Sequence, residues 1–160
     1  MKKICFTGHR KIKDPRKVYD RLLVLLEELI QGGAEEFFAG GAIGFDSISA
    51  LAVIHLRNKY TNIKLRLVLP CSNEEQTFNW TRKQKTEFMK ILLMADSVEY
   101  TSEHYTDNCM KKRNARLVEL GDGCICYYLN KFKTGTGQTI RMAAEKGIPV
   151  YNLAEPLSVL

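Results

Sequence analysis

No run of apolar residues in this chain approaches the roughly 20 needed to cross a bilayer, so no membrane-spanning helix is expected. Cysteine is sparse and badly spaced for cross-linking. The five cysteines are odd in number and include no Cys-x-x-Cys pair, which argues against a disulfide framework and against any metal site of zinc type. Cys124 and Cys126 lie two apart in an apolar run, so they share one strand face as small core residues. A reducing cytoplasm is the expected compartment. The first residues, Met1-Lys2-Lys3-Ile4-Cys5-Phe6, have a basic start but neither a long apolar segment nor a small-residue cleavage site, and are read as a strand rather than a signal peptide. Repeats, low-complexity tracts and linker compositions are missing. One domain over residues 1–160 is expected, large enough to bury roughly 68–70% of its unfolded surface. Charge of one sign is never massed. The net charge of +6 comes from lysines and arginines scattered among acids, with one tight cluster at Lys111-Lys112-Arg113. That balance suits small anionic ligands and is compatible with nucleic acid, but it draws no continuous basic stripe.

Strand-like and helix-like segments alternate. Lys3–Thr7 is a first strand; Pro15 suits the first turn of a helix that runs to Gln31 and carries Val18, Leu22, Leu25, Leu26 and Leu29 at helical spacing before Gly32-Gly33 stops it. Glu36–Ala39 is a second strand and Phe45–Tyr60 a second helix, followed by a strand over Leu65–Leu69. A long helix is expected from Asn73 to Met94, capped by Ser72 or Asn73. Val98–Tyr100, Gly123–Tyr128 and Pro149–Leu153 are the remaining strands; Asp107–Leu120 and Gln138–Lys146 are the remaining helices. Alternation of this kind implies right-handed crossovers and a mainly parallel sheet, hence a Rossmann-like doubly wound α/β fold with helices on both faces. Ligands in such folds sit at the carboxyl ends of the strands.

Three glycine-bearing loops fall at those ends. The first is Thr7-Gly8-His9-Arg10. Thr7 can bond a phosphate or ribose oxygen, Gly8 permits a close turn, His9 can donate or relay a proton, and Arg10 is a bidentate donor matched to phosphate. In the second, Gly40-Gly41-Ala42-Ile43-Gly44-Phe45-Asp46, the paired glycines Gly40 and Gly41 let the chain swing into a helix with N–H groups exposed. Gly44 allows close helix–sheet packing. Neither G-x-G-x-x-G nor a P-loop ending is present. Asp46 would repel a phosphate, so it suits ribose hydroxyls, a base edge or general-base chemistry; alternatively it stabilises the start of its helix. The third loop, Thr134-Gly135-Thr136-Gly137-Gln138-Thr139, opens a helix whose N–H groups, with the side chains of Thr136 and Thr139, suit phosphate. Lys112, Arg113 and Asn114 lie in a helix-like stretch that reads either as a solvated basic face or, with Asn114 unusual among good helix formers, as a face turned to the site.

Taken together, these residues resemble a known family. Thr7-Gly8-His9-Arg10, Gly40 to Asp46, Pro70-Cys71, Gln76, Trp80, Ala95-Asp96, Tyr105, Arg113-Asn114 and Gly135-Thr136-Gly137 are similar to the YpsA-like branch of the SLOG superfamily, over nearly the whole chain. That superfamily groups the DNA-processing protein DprA with the LOG enzymes. The resemblance implies a Rossmann-like sheet that binds nucleotides or nucleotide-derived small molecules. LOG members hydrolyse the N-glycosidic bond of nucleoside 5′-monophosphates through a glutamate in Pro-Gly-Gly-x-Gly-Thr-x-x-Glu. Aligning the last two glycines of that motif on Gly135 and Gly137 puts Arg141 at the glutamate, and a cation cannot serve as that base.

A binding or sensing protein for a nucleotide-like small molecule is therefore the first expectation, with no other cofactor. A LOG-like glycosidic hydrolase using Asp46 is the alternative, and a single-stranded nucleic-acid-binding module a further one. By analogy with related folds, a homo-oligomer is expected.

Overall fold

The computed structural model describes residues 1–129 and 134–154. Its elements follow in the order β1 (Lys3–Gly8), α1 (Pro15–Gln31), β2 (Glu36–Ala39), α2 (Phe45–Leu56), β3 (Lys64–Leu69), α3 (Asn73–Gln76), α4 (Arg82–Met94), β4 (Ser97–Tyr100), α5 (Cys109–Leu120), β5 (Gly123–Tyr127), α6 (Gly135–Lys146) and β6 (Val150–Asn152). The six strands form one sheet in the order β4-β3-β2-β1-β5-β6, and every adjacent pair is parallel. This is a doubly wound α/β fold of Rossmann type, as expected.

Strand alternation assigns the two faces. Ile4, Phe6, Phe37, Leu65, Leu67, Ile125 and Tyr127 point to one side, where α1, α2 and α4 cover them. Cys5, Phe38, Val68, Cys124 and Cys126 point to the other, beneath α5 and α6. Cys124 and Cys126 share that face and are fully buried, as their spacing predicts. Helix α1 buries Val18, Leu22, Leu25, Leu26 and Ile30, a stripe of 3.6-residue period, while its other faces carry charge.

The expected helix over Asn73–Met94 is two helices. Ser72 caps α3, its Oγ accepting the Glu75 N–H, and after Gln76 the chain turns. Thr81 then starts α4 with a reciprocal pair: Thr81 Oγ1 accepts the Gln84 N–H at 3.2 Å, and Gln84 Oε1 accepts the Thr81 N–H at 2.9 Å. This reciprocal cap gives partners to two N–H groups at the second helix start. Helix α2 ends at Leu56 rather than Tyr60. There the Asn58 and Lys59 N–H groups reach the carbonyls of His55 and Leu56, three residues back, and tighten the chain out of α geometry. Helix α6 begins at Gly135, three residues before the expected start, with Thr134 as its cap.

Candidate functional site

The strand order reverses between β1 and β5. These strands end side by side, with Gly8 opposite Tyr127. From there the chain leaves β1 toward α1 on one face and β5 toward α6 on the other, which opens a crevice at the carboxyl edge. A cleft of about 360 Å³ lies in that crevice. Thr7, Gly8, His9 and Arg10 line it from β1, Ala42 and Asp46 from the start of α2, Met110, Arg113, Asn114 and Leu117 from α5, and Thr134, Gly135 and Thr136 from α6.

Most of the glycines serve contacts between the loops. A side chain at Gly8 would collide with the Phe45 ring, and one at Gly40 with the Arg113 guanidinium and the Asp46 carboxylate. Gly44 has φ 82°, and a Cβ there would strike the backbone of Arg10. The loop after β1 therefore lies directly on the loop after β2, fastened by the Phe45 N–H to the His9 carbonyl at 3.1 Å. Gly41, φ 76°, packs on Leu69 and accepts the Gln76 Nε2 amide at 3.2 Å. Gly40, Gly41 and Gly44 thus shape the walls without lining the cleft, and Gly137, packed on Tyr128, does not line it either.

The second loop was expected to offer exposed N–H groups; the structure spends two of them internally. Ala42 N–H donates to Asp46 Oδ2 at 3.1 Å and Phe45 N–H to His9. The third loop differs. Thr134 Oγ1 takes the Gly137 N–H at 3.1 Å, which leaves the Gly135 and Thr136 N–H groups at the helix start, where no intrahelical partner exists. Thr139 is a correction. Its hydroxyl donates to the Gly135 carbonyl at 2.8 Å and its side chain is fully buried, so it belongs to the helix and not to the cleft.

Two buried opposite charges face each other across this space. Asp46 and Arg113 are each 6% exposed. Burial raises the Asp46 pKa above the ordinary carboxyl value, against the pull of Arg113, the Ala42 N–H and Arg10. Arg113 is held by three acceptors: Asn114 Oδ1 at 2.8 Å, the Gly40 carbonyl and, at 3.7 Å, Met110 Sδ. Asn114 is turned so that its Nδ2 lies beside Gly135. His9 Nε2 accepts the Leu129 N–H at 3.1 Å, a geometry that places the ring proton on Nδ1, and burial lowers the imidazole pKa. Arg10 is exposed at the cleft mouth.

Asp96, one of the residues carrying the family resemblance, is absent from this site. It stands at the opposite edge of the sheet, accepting the Leu65 N–H at 2.8 Å and pairing with Arg57 at 2.7 Å. Arg141 is exposed and does not line the cleft. Residues that the loop motifs did not point to also contribute. Met110 and Leu117 flank Arg113 and Asn114 at spacings of three, four and seven, one stripe of α5 that helical periodicity makes visible. Thr134, within the third loop but not among the residues expected to bind, carries the ordinary signature of a hydroxyl cap before a helix.

The YspA SLOG family profile matches residues 7–151, from the first loop to the last strand. The chain belongs to the YspA SLOG family. This SLOG protein is 25% identical to the UPF0398 protein YpsA of Bacillus subtilis (strain 168) over 171 aligned residues, covering 94% of this chain and 91% of that one. It is 29% identical to a UPF0398 protein of Bacillus pumilus (strain SAFR-032), over 80% of this chain and 74% of the relative. Among solved structures it superposes with TM-score 0.65 on DNA processing protein A from Helicobacter pylori, described for its single-stranded DNA binding mode. The identity there is 21%, and the match covers 94% of this SLOG protein and 64% of the neighbour, which establishes a common fold.

Proposed function

We propose that this SLOG protein binds a nucleotide or a nucleotide-derived small molecule in the cleft at the β1/β5 switch point, as a binding or sensing protein. One observation carries the reading: Arg10, Arg113 and the Gly135 and Thr136 N–H groups at the start of α6, which have no partner among the described residues, converge on a single cavity from three separate segments. A cation, a second buried cation and a helix N-terminus suit a phosphate. Asp46, beside them but held by its own Ala42 N–H, suits the ribose hydroxyls as an acceptor. Calorimetric titration of the purified chain with adenosine 5′-monophosphate, an ADP-ribose-like compound and a dinucleotide tests this. Binding of at least one is expected, and Arg10→Ala, an exposed position, should weaken it by about tenfold or more, as loss of a charged hydrogen bond does. No binding to any of them removes the reading.

A second reading is favoured by Asp46 itself. A buried carboxyl with a raised pKa in a cleft is a candidate general acid or base, which suits cleavage of the N-glycosidic bond of a nucleoside monophosphate. Incubation would then release free base, and Asp46→Asn would abolish the release. A rate unchanged by that substitution excludes the assignment. Single-stranded DNA, the ligand for which the Helicobacter neighbour is described, is a third candidate; its association would weaken steeply with salt.

A further inference from the structure

Beside the cleft runs a second, larger groove of about 700 Å³, and the two share Arg10 and Met110 in their walls. Gln76 is the one buried residue lining this groove, so it forms the floor. Its Nε2 donates to the Gly41 carbonyl at 3.2 Å, a contact only the amide NH2 can make, which fixes the orientation of the side chain. That leaves Gln76 Oε1 buried and without a hydrogen-bond partner among the described residues. A desolvated acceptor of this kind is costly to leave unpaired, and a donor entering the groove relieves that cost.

The walls above it are aromatic. Phe78 is 78% exposed and Tyr105 57% exposed, large exposures for such side chains. Trp80 is half-buried and braced edge-to-face by Phe88, with ring centroids 5.5 Å apart and an interplanar angle of 88°. Glu74 and Glu75 complete the rim and disfavour phosphate in this groove, whereas the adjoining cleft gathers Arg10 and Arg113. The two cavities adjoin at Arg10 and Met110, one cationic and the other aromatic and acceptor-rich.

We propose that the groove is a base subsite for a purine bearing an exocyclic amine, with the amine donating to Gln76 Oε1 and the ring stacked among Phe78, Trp80 and Tyr105. This rests on the reading that the neighbouring cleft takes the phosphate of the same ligand. Aromatic side chains and bases stack through their π faces, and an amino group satisfies an amide oxygen that a phosphate or a bare sugar leaves unpaired.

The test uses the full chain and three probes: adenosine 5′-monophosphate, purine riboside 5′-monophosphate, which lacks the amine, and ribose 5-phosphate, which lacks the base. Trp80 is the only tryptophan, so its emission reports on the groove directly. Adenosine 5′-monophosphate should quench it; ribose 5-phosphate should bind with little change in emission. The double variant Phe78→Ala/Tyr105→Ala, at two exposed positions, should weaken adenosine 5′-monophosphate by about tenfold, the usual size of a lost stacking contact, and leave ribose 5-phosphate unaffected. Gln76→Met should erase the preference for the amine-bearing nucleotide over its amine-free analogue. Wild-type affinity in the double variant, or unchanged Trp80 emission on saturation, puts the base elsewhere and overturns the proposal while the phosphate reading stands. If none of the three phosphate-bearing probes binds, that reading fails and the base subsite falls with it.

Discussion

Gly44 shows how much a single residue controls here. Its φ of 82° lies in the left-handed region, and the space where a Cβ would sit is filled by the backbone of Arg10. Gly44→Ala therefore meets backbone strain and a clash that no flexible side chain can relieve. It should lower stability by about 1–3 kcal/mol in denaturant titration, and it should loosen the cleft because the loop bearing Arg10 is pushed off the loop bearing Asp46. A substitution at Gly33, φ 115°, has open space around it and should carry the conformational penalty alone, leaving ligand affinity intact. The comparison separates a glycine needed for its φ from one needed also for close approach. From the sequence both glycines look alike, since the difference lies in what the fold brings up against them.

Among the elements, the break between α3 and α4 matters most. It turns Gln76 inward to Gly41 and leaves Phe78 in solvent, an arrangement that a continuous helix over Asn73–Met94 would not produce. Thr81-Arg82-Lys83-Gln84 is a hydroxyl residue followed three positions later by glutamine, so the second helix start was written in the chain, though the earlier cap at Ser72 and the helix-forming residues around it concealed it. Thr81→Ala should cost about 1 kcal/mol, the usual worth of an N-cap, seen as a lower midpoint in thermal or denaturant unfolding. Secondary structure elsewhere was legible because its causes are local. The α1 stripe, the Pro15 start and the alternation of faces in β1 and β5 need only neighbours a few residues away. Thr139 was misplaced although its cause is also local: helix α6 starts earlier than the glycines suggest, so its hydroxyl meets the Gly135 carbonyl four residues back.

Across the whole molecule, carboxylates away from the cleft set the acid response. Burial alone would raise Asp96, but the Leu65 N–H, Arg57 and Lys64 outweigh it and hold its pKa below the ordinary 3.8. Glu99 is held below 4.5 chiefly by its hydrogen bond from Arg116. A carboxyl whose pKa is depressed on folding adds stability that is fully present above its unfolded value and vanishes as pH falls through the folded one. Stability should therefore drop as pH goes from about 5 toward 3, and Asp96→Asn should flatten part of that slope. Asp46 works in the other sense. Its pKa is raised on folding, so its favourable share is complete below 3.8 and is lost as pH rises through the folded value. Denaturant midpoints across this pH range check both signs.

The chain alone determined the alternation of strands and helices, the parallel sheet and the three loops at its carboxyl edge, because periodicity, caps and turn residues act over short separations. It also carried the family resemblance, which is a matter of residue identity. Only the tertiary structure decided which of those loops face a common space. It set Gly40, Gly41 and Gly44 behind the walls, kept Gly137 out of the cleft lining, brought Met110 and Thr134 into the cleft, and left Gln76 with an unpaired oxygen under an aromatic groove. The reason is physical: a hydrogen bond or a collision between residues 40 and 113, or 44 and 10, depends on where the sheet carries each loop, and no local pattern records that distance.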